Sequence, residues 1–165
     1  MKKLIIAALI LAPMTVFAQK FGHFNSADII QAMPEFKTAQ TELQNLSQQY
    51  QKELQTMQDE YNRKVSNYQA QHDSLPQNVL ERRQQEIQEL NERYQTTANS
   101  YQQELSKQEQ DKMTAIQQKV LGVVKQVGDA GGYVYIMDAS AGIPYISSTL
   151  STDLTAEIKS KLGLK

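Results

Sequence analysis

The feature that most constrains this chain is the near absence of helix breakers from its long central segment. No glycine occurs between Gly22 and Gly122, and Pro34 and Pro76 are the only prolines in that stretch. Glycine and proline are the strongest breakers of regular structure. The segment is instead rich in Gln, Glu, Leu, Lys and Arg, which favour helices. The sequence therefore predicts long helices over most of its length.

Apolar residues in this segment recur at alternating spacings of three and four, which predicts a narrow apolar seam. One run comprises Leu43, Leu46, Tyr50, Leu54, Met57, Tyr61, Val65 and Tyr68. A second comprises Ile87, Leu90, Tyr94, Ala98, Tyr101 and Leu105. Both follow an eleven-residue repeat, which is typical of helices that run straight or wind slightly right-handed. Residues 39–117, the arm, hold too few aliphatic side chains to form a globular core.

A polar stretch at residues 73–77, the tip, separates the two runs and predicts a chain reversal. Ser74 and Gln77 fit a capping box, with Pro76 in the first turn of the second helix. Reversal there matches the two runs in one antiparallel register. Its facing pairs are Leu43 with Leu105, Leu54 with Tyr94, Tyr61 with Ile87, Tyr68 with Leu80, and Tyr50 with Ala98. The alternatives are two separate solvated helices or one continuous rod.

The remaining parts, residues 19–38 and 118–165, predict a small β body. Strands are predicted at residues 21–25, 133–137 and 143–147, the last returning after a turn at 139–142. Ser26 is predicted to cap a helix that runs to Met33. Leu154, Ile158 and Leu162 mark a short terminal helix. The predicted fold class is α+β, mostly α, with a long antiparallel helical hairpin on this body.

Three strands cannot cover their own sheet edges, so the sequence predicts association of identical chains without fixing their number. The residues predicted to serve this association are Phe21, Phe24, Tyr133, Val134, Tyr135, Ile136, Ile143 and Tyr145.

The first eighteen residues have the layout of a cleavable secretory signal. Lys2 and Lys3 precede a short apolar run, Pro13 ends the run, and Ala18 precedes a polar start. A membrane anchor is the alternative, but the run is far shorter than the roughly 20 residues that cross a bilayer. The sequence therefore predicts a mature chain that begins near Gln19 and resides outside the cytoplasm, in the periplasm if the cell has two membranes.

The composition argues against enzymes and nucleic-acid binders. The chain has 17 lysines and arginines, 18 aspartates and glutamates, and a formal net charge of −1, so it lacks the basic excess that nucleic acid attracts. It contains no cysteine and only two histidines, and no glycine-rich phosphate loop. Glu86, Glu89 and Glu92 indicate a solvated helix face. We expect no catalytic residue, metal or cofactor.

One cluster of cations is a candidate binding site. In the hairpin register Arg63 and Lys64 lie opposite Arg82 and Arg83, below the tip. Such a cluster could capture acidic cargo or touch an anionic membrane surface peripherally. The alternative is a solvated surface, with neighbouring glutamates forming ion pairs worth about 0.3–0.5 kcal/mol each.

The order of these elements resembles the Skp/OmpH family of periplasmic chaperones. The resemblance covers essentially all of the chain after residue 18, and two segments carry it locally. They are Tyr133, Val134, Tyr135, Ile136, Met137, Asp138 and Ala139, followed by Asp153, Leu154, Thr155, Ala156, Glu157 and Ile158.

The resemblance implies a homotrimer with a shared β body and three arms around a cavity. It also implies ATP-independent holding of unfolded outer-membrane β-barrel proteins. The alternative function is a structural coiled-coil adaptor of the cell envelope that binds one folded partner. An adaptor should carry a dedicated apolar patch on its arm, and the sequence contains none outside the seam.

Overall fold

The computed structural model describes residues 19–164, so the predicted signal at residues 1–18 lies outside the described residues. The elements in chain order are β1 Lys20–Phe24, α1 Ser26–Ala32, α2 Pro34–Gln71, α3 Gln77–Gly131, β2 Tyr133–Asp138, β3 Ser151–Asp153 and α4 Thr155–Lys161. A short 3-10 turn, Ala139–Ala141, follows β2. The predicted α+β class, with a long helical hairpin on a small β body, is confirmed.

The two arm helices begin and end at the predicted breakers. Helix α2 has 38 residues and begins at Pro34, whose missing amide hydrogen costs nothing in a first helical turn. Helix α3 has 55 residues, about 83 Å at 1.5 Å per residue. It ends at Gly131, because Gly132 takes a left-handed conformation with φ of 67°. Among the described helices, none is both long and apolar enough to cross a membrane.

The predicted capping box at the tip is wrong. The Ser74 hydroxyl donates to the carbonyl oxygen of Gln71 at 3.1 Å, and so it closes the last turn of the preceding helix. Pro76 is the N-cap of α3, which has no side-chain cap. The chain reversal itself lies where the sequence predicted it.

The seam is formed by the predicted residues, but one aromatic contact differs from the predicted pairing of Tyr50 with Ala98. Leu80 and Leu90 are buried, and the other members of both runs are half-buried. The ring of Tyr50 stacks on that of Tyr101, with centroids 3.8 Å apart and an interplanar angle of 4°. Two flat rings therefore meet where we had expected a large side chain opposite a small one.

Polar contacts also join the two helices. Tyr101 donates its hydroxyl proton to Glu53. The ion pairs that join α2 to α3 are Glu35 with Lys119, Glu42 with Lys112 at 2.5 Å, Glu60 with Arg93 at 3.6 Å, and Lys64 with Glu86 at 3.0 Å. Each joins exposed or half-exposed groups, so each contributes little stability, but together they favour one alignment.

The sheet is parallel throughout, with strand order β2-β1-β3. The predicted returning strand at residues 143–147 is therefore wrong, because β3 lies at Ser151–Asp153 and pairs with β1. Residues 142–150, the crossing segment, lead from one edge of the sheet to the other. Pro144 within it has no amide hydrogen to donate to a strand partner.

The body buries one face of this sheet. Gly22 and Phe24 of β1 point to that face, and a Cβ added at Gly22 would lie 2.6 Å from Cδ1 of Leu154. The core comprises Phe24, Ile29, Met33, Ala39, Ile116, Val120, Val127, Leu154 and Ile158. The core therefore joins β1, α1, the body ends of the two arm helices and α4 in one cluster.

We had predicted that Ser26 caps helix α1, but the cap is Asn25. The Asn25 side chain accepts a hydrogen bond from the amide of Asp28 at 3.1 Å. Ser26 has another role: its hydroxyl donates to Asp138 Oδ2 at 2.5 Å, and its amide donates to Oδ1 at 3.2 Å. The amide of Ser140 also donates to this carboxylate, at 2.9 Å. Asp138 therefore joins the end of β2 to the start of α1.

The Asp138 contacts predict a loss of stability at acid pH. Burial raises the pKa of this carboxyl, but the hydrogen bonds from Ser26 and Ser140 outweigh it, so the pKa lies below its usual value. A carboxyl with a lowered pKa contributes stability above its unfolded-state pKa and loses it as the pH falls through the folded value. Asp138→Asn should reduce the free energy of unfolding by about 1–3 kcal/mol at pH 7.

The difference between the wild type and this variant should shrink as the pH is lowered from 7 to below the folded-state pKa of Asp138, which urea unfolding followed by circular dichroism would measure. Asp73→Asn is the control, since Asp73 lies at the exposed tip. An equal deficit for Asp138→Asn at both pH values would contradict the role of the charge.

Candidate interaction surfaces

The structure brings Lys64, Arg82 and Arg83 together across the hairpin. Glu86 Oε2 lies 3.0 Å from Lys64 Nζ, and its Oε1 lies 3.9 Å from Arg82 Nε. The hydrogen bond from Lys64 is the main cause of a lowered pKa at Glu86. This carboxylate therefore stays ionised and balances part of the positive charge.

A polar cavity of about 300 Å³ lies beside this cluster. It is lined by Lys64, Asn67, Gln71, Arg83, Glu86 and Ile87. The guanidinium of Arg83 donates to Gln71 Oε1 at 2.6 Å, which holds it over the gap between the helices. Arg63 and Arg82 are more exposed. The four predicted cations thus form a partly neutralised surface, not a closed anion site.

The sheet carries a second surface, its outer face, which comprises Phe21, His23, Tyr135, Met137, Ser151 and Asp153. The pairing register places Tyr135, Phe21 and Ser151 in one row and Met137, His23 and Asp153 in the next. The rings of Phe21 and Tyr135 stack with centroids 4.7 Å apart. Alternation along β1 directs these side chains away from the core.

The crossing segment covers part of this face and leaves a mostly apolar cavity of about 290 Å³. Ile143, Tyr145, Ile146 and Leu150 line it together with residues of the outer face. Several of these side chains remain exposed: Tyr145 by 80%, Leu150 by 75%, Tyr135 by 50% and Met137 by 48%. Such a concentration of exposed apolar side chains is typical of a surface that meets a partner.

The eight residues predicted to serve association have different surroundings in the structure. Phe24 is buried in the core, and Tyr133 and Ile136 pack against the core. Phe21 and Tyr135 lie on the outer face, and Val134 is exposed on the edge strand β2. Ile143 and Tyr145 lie in the crossing segment instead of a strand, yet they line the outer-face cavity.

Sequence reasoning missed His23, Met137 and Leu150 as surface residues. His23 and Met137 lie two residues beyond Phe21 and Tyr135 on their strands, so the period of two was the signal that could have found them. Leu150 gave no such signal because it lies outside any strand. Among residues 19–164, no group of three or more His, Cys, Asp or Glu side chains is placed to hold a metal ion.

Comparison with known proteins assigns the fold. The family model for outer membrane protein (OmpH-like) matches residues 20–162. The crystal structure of a protein assigned as an OmpH-like outer membrane chaperone, from Caulobacter crescentus CB15, superposes with a TM-score of 0.75. The two chains are 19% identical, and the match covers 87% of this chain and 83% of the other. No curated protein sequence matches this chain significantly.

The matched region contains every described helix and strand, so the likeness extends to the whole body and arm. The chain belongs to the OmpH-like outer membrane protein family.

Proposed function

We propose that this protein is an ATP-independent holdase of the periplasm that keeps unfolded outer-membrane β-barrel proteins soluble until they insert into the membrane. The observation that carries the proposal is the contrast between arm and body. Among the described residues, the exposed large apolar side chains are Leu121, Val134, Tyr135, Met137, Tyr145 and Leu150, all outside the arm. The arm therefore offers long polar helices for many weak contacts, and the body offers a surface for assembly.

The body supports association of identical chains, which we propose form a trimer. Within residues 19–164, β2 and β3 each pair on one side only, so both edges of the sheet are available. The apolar outer face lies between those edges. Association that covered this face would bury its side chains and direct several arms from one body, which would enclose a client between them.

The polar character of the arm favours a holdase over an adaptor. An adaptor that binds one folded partner needs a dedicated apolar patch. Exposed arm surfaces instead carry hydrogen bonds from glutamine to a carboxylate or amide one turn away, such as Gln49 to Glu53, Gln55 to Asp59 and Gln58 to Asn62. Side chains that satisfy one another in this way keep the arm soluble without a client.

The test of the proposed function is suppression of aggregation. A urea-unfolded β-barrel protein is diluted into buffer with residues 19–165 of this chain, at one complex per client and without nucleotide. We expect light scattering to stay near the baseline, and a folded soluble protein to compete poorly for binding. Aggregation at the rate of the client alone would contradict the proposal, and capture of one folded envelope protein with no effect on aggregation would favour the adaptor.

The cation cluster predicts an effect of salt on client association. Attraction between charges is screened over about 8 Å at physiological salt. Charges at the edge of a binding surface act mainly on the association rate. Replacing Arg63, Lys64, Arg82 and Arg83 with Gln should slow association about twofold to tenfold at low salt. At physiological salt, where this attraction is largely screened, the variant should still hold clients.

Stopped-flow association with an unfolded β-barrel client, at low and high ionic strength, would measure this effect. The control replaces Lys37, Lys52, Lys107 and Lys125 with Gln, which removes the same net charge elsewhere. Equal association rates for the cluster variant and the wild type at low salt would mean that the cluster is a solvated surface with no role in client capture.

A further inference from the structure

We propose that His23 makes self-association of this chain sensitive to pH, because protonation of its imidazole weakens the contact between copies. The inference rests on the proposed assembly through the outer face. It adds a regulatory property that neither the family nor the arm implies.

His23 lies at the centre of the surface concerned. It belongs to β1, the middle strand, and its register partners are Met137 in β2 and Asp153 in β3. Its Nδ1 atom lies 2.9 Å from the hydroxyl oxygen of Ser151. The residue also lines the outer-face cavity. An association that covered the outer face would therefore enclose this imidazole.

Most groups around His23 are apolar or uncharged. From β2, Tyr135 and Met137 face the same cavity, and the crossing segment contributes Tyr145 and Leu150. Tyrosine stays neutral throughout the range in which histidine titrates. The one carboxylate on this face is Asp153, on β3.

Asp153 compensates only part of a positive charge on His23. Its Oδ1 accepts a hydrogen bond from the amide of Thr155 at 2.9 Å, so part of its hydrogen-bonding capacity stabilises the start of α4. The side-chain and backbone hydrogen bonds from Thr155 are the main reasons why the pKa of Asp153 lies below its usual value. Asp153 therefore remains ionised across the pH range in which histidine side chains in general gain a proton.

The sign of the effect follows from the cost of burying charge. A neutral imidazole can share one hydrogen bond with Ser151 and lie in an apolar contact. Histidine gains its proton between about pH 8 and pH 5, and a charged group with incomplete partners is costly to bury. Because the free chain keeps the protonated imidazole in water, acid favours separate chains over the assembly.

The experiment compares dissociation constants of the chain of residues 19–165 at pH 7.5 and pH 5.5, by sedimentation equilibrium at constant ionic strength. We expect the wild type to dissociate at least about tenfold more readily at pH 5.5. His23→Gln and His23→Leu should each show nearly equal constants at both pH values. His72→Gln is the matched control, since His72 lies exposed beside the tip, and it should keep the pH dependence of the wild type.

Asp153→Asn should enlarge the pH effect, because the amide can still accept the Thr155 hydrogen bond but no longer offsets the charge. Circular dichroism checks that each variant stays folded. Equal wild-type constants at both pH values, or a pH dependence that survives in either folded His23 variant, would overturn the inference. A folded wild-type monomer at micromolar concentration at both pH values would instead overturn the proposed assembly itself.

Discussion

Tyr135→Asp should convert the assembled protein into folded single chains. Tyr135 lies on the outer face and is 50% exposed, with its ring stacked on Phe21. An aspartate there can remain in water in the separate chain, so the fold should survive. In the proposed assembly the carboxylate would be buried without a partner, which is among the most costly substitutions at an interface. We expect the dissociation constant to rise by more than about a hundredfold.

Sedimentation equilibrium at micromolar concentration would measure this change, and circular dichroism would show whether the helices persist. Leu121→Asp is the control, because Leu121 is 58% exposed but lies on α3 and not on the sheet. The proposed surface would be wrong if Tyr135→Asp sedimented like the wild type, or if both variants dissociated alike.

Ile158→Ala should cause a large loss of stability in the body. Ile158 has no exposed surface and packs in the core with Ile29 and Leu154. Truncating a buried isoleucine to alanine costs about 2–5 kcal/mol, whereas typical domains have only about 5–15 kcal/mol in total. The core of this body is small, so little can move to fill the cavity.

Urea unfolding at a fixed protein concentration would measure this loss, since association adds to apparent stability. Leu121→Ala removes an exposed aliphatic side chain and should change the free energy of unfolding by no more than about 0.5 kcal/mol. A loss below about 1 kcal/mol for Ile158→Ala would mean that α4 does not hold the body together as the structure indicates.

The arm could be predicted because its signals are local. Helix propensity, the glycine-free stretch and the spacing of three and four act within a few residues, and they specified both helices and the seam. The alignment of the helices is not local, since more than one register matches large apolar residues. The information that distinguishes these registers lies in the charged pairs, such as Glu42 with Lys112 and Glu60 with Arg93, which we had not used.

The error at residues 143–147 has a different physical cause. A segment that crosses an apolar sheet face needs the same apolar side chains as a strand, so Ile143 and Tyr145 fit either arrangement. Strand β3, by contrast, consists of Ser151, Thr152 and Asp153, whose side chains carry no apolar signal. Its pairing depends on the free edge of β1, which is far away in sequence.

The sequence also did not distinguish the residues of β2 that face the core from those that face outward. Every residue from Tyr133 to Met137 is apolar or aromatic, so composition did not reveal the alternation. Ile136 packs against the core, and a charge placed there would test the stability of the single chain, whereas Tyr135 and Met137 test association.

The pairing of β1 has a consequence for the order in which this chain folds. Its strand partners, β2 and β3, begin at Tyr133 and Ser151, so the first strand made has no partner until almost the entire chain is available. The arm helices need only local contacts and the seam, and they can form while the chain is still emerging. Closing the body then requires joining the two ends of the chain, a step of high contact order that is slow compared with helix formation. We therefore expect each new chain to form its arm before its body. Until the last strand is available, the polar arm would have to keep the exposed apolar residues of the body in solution.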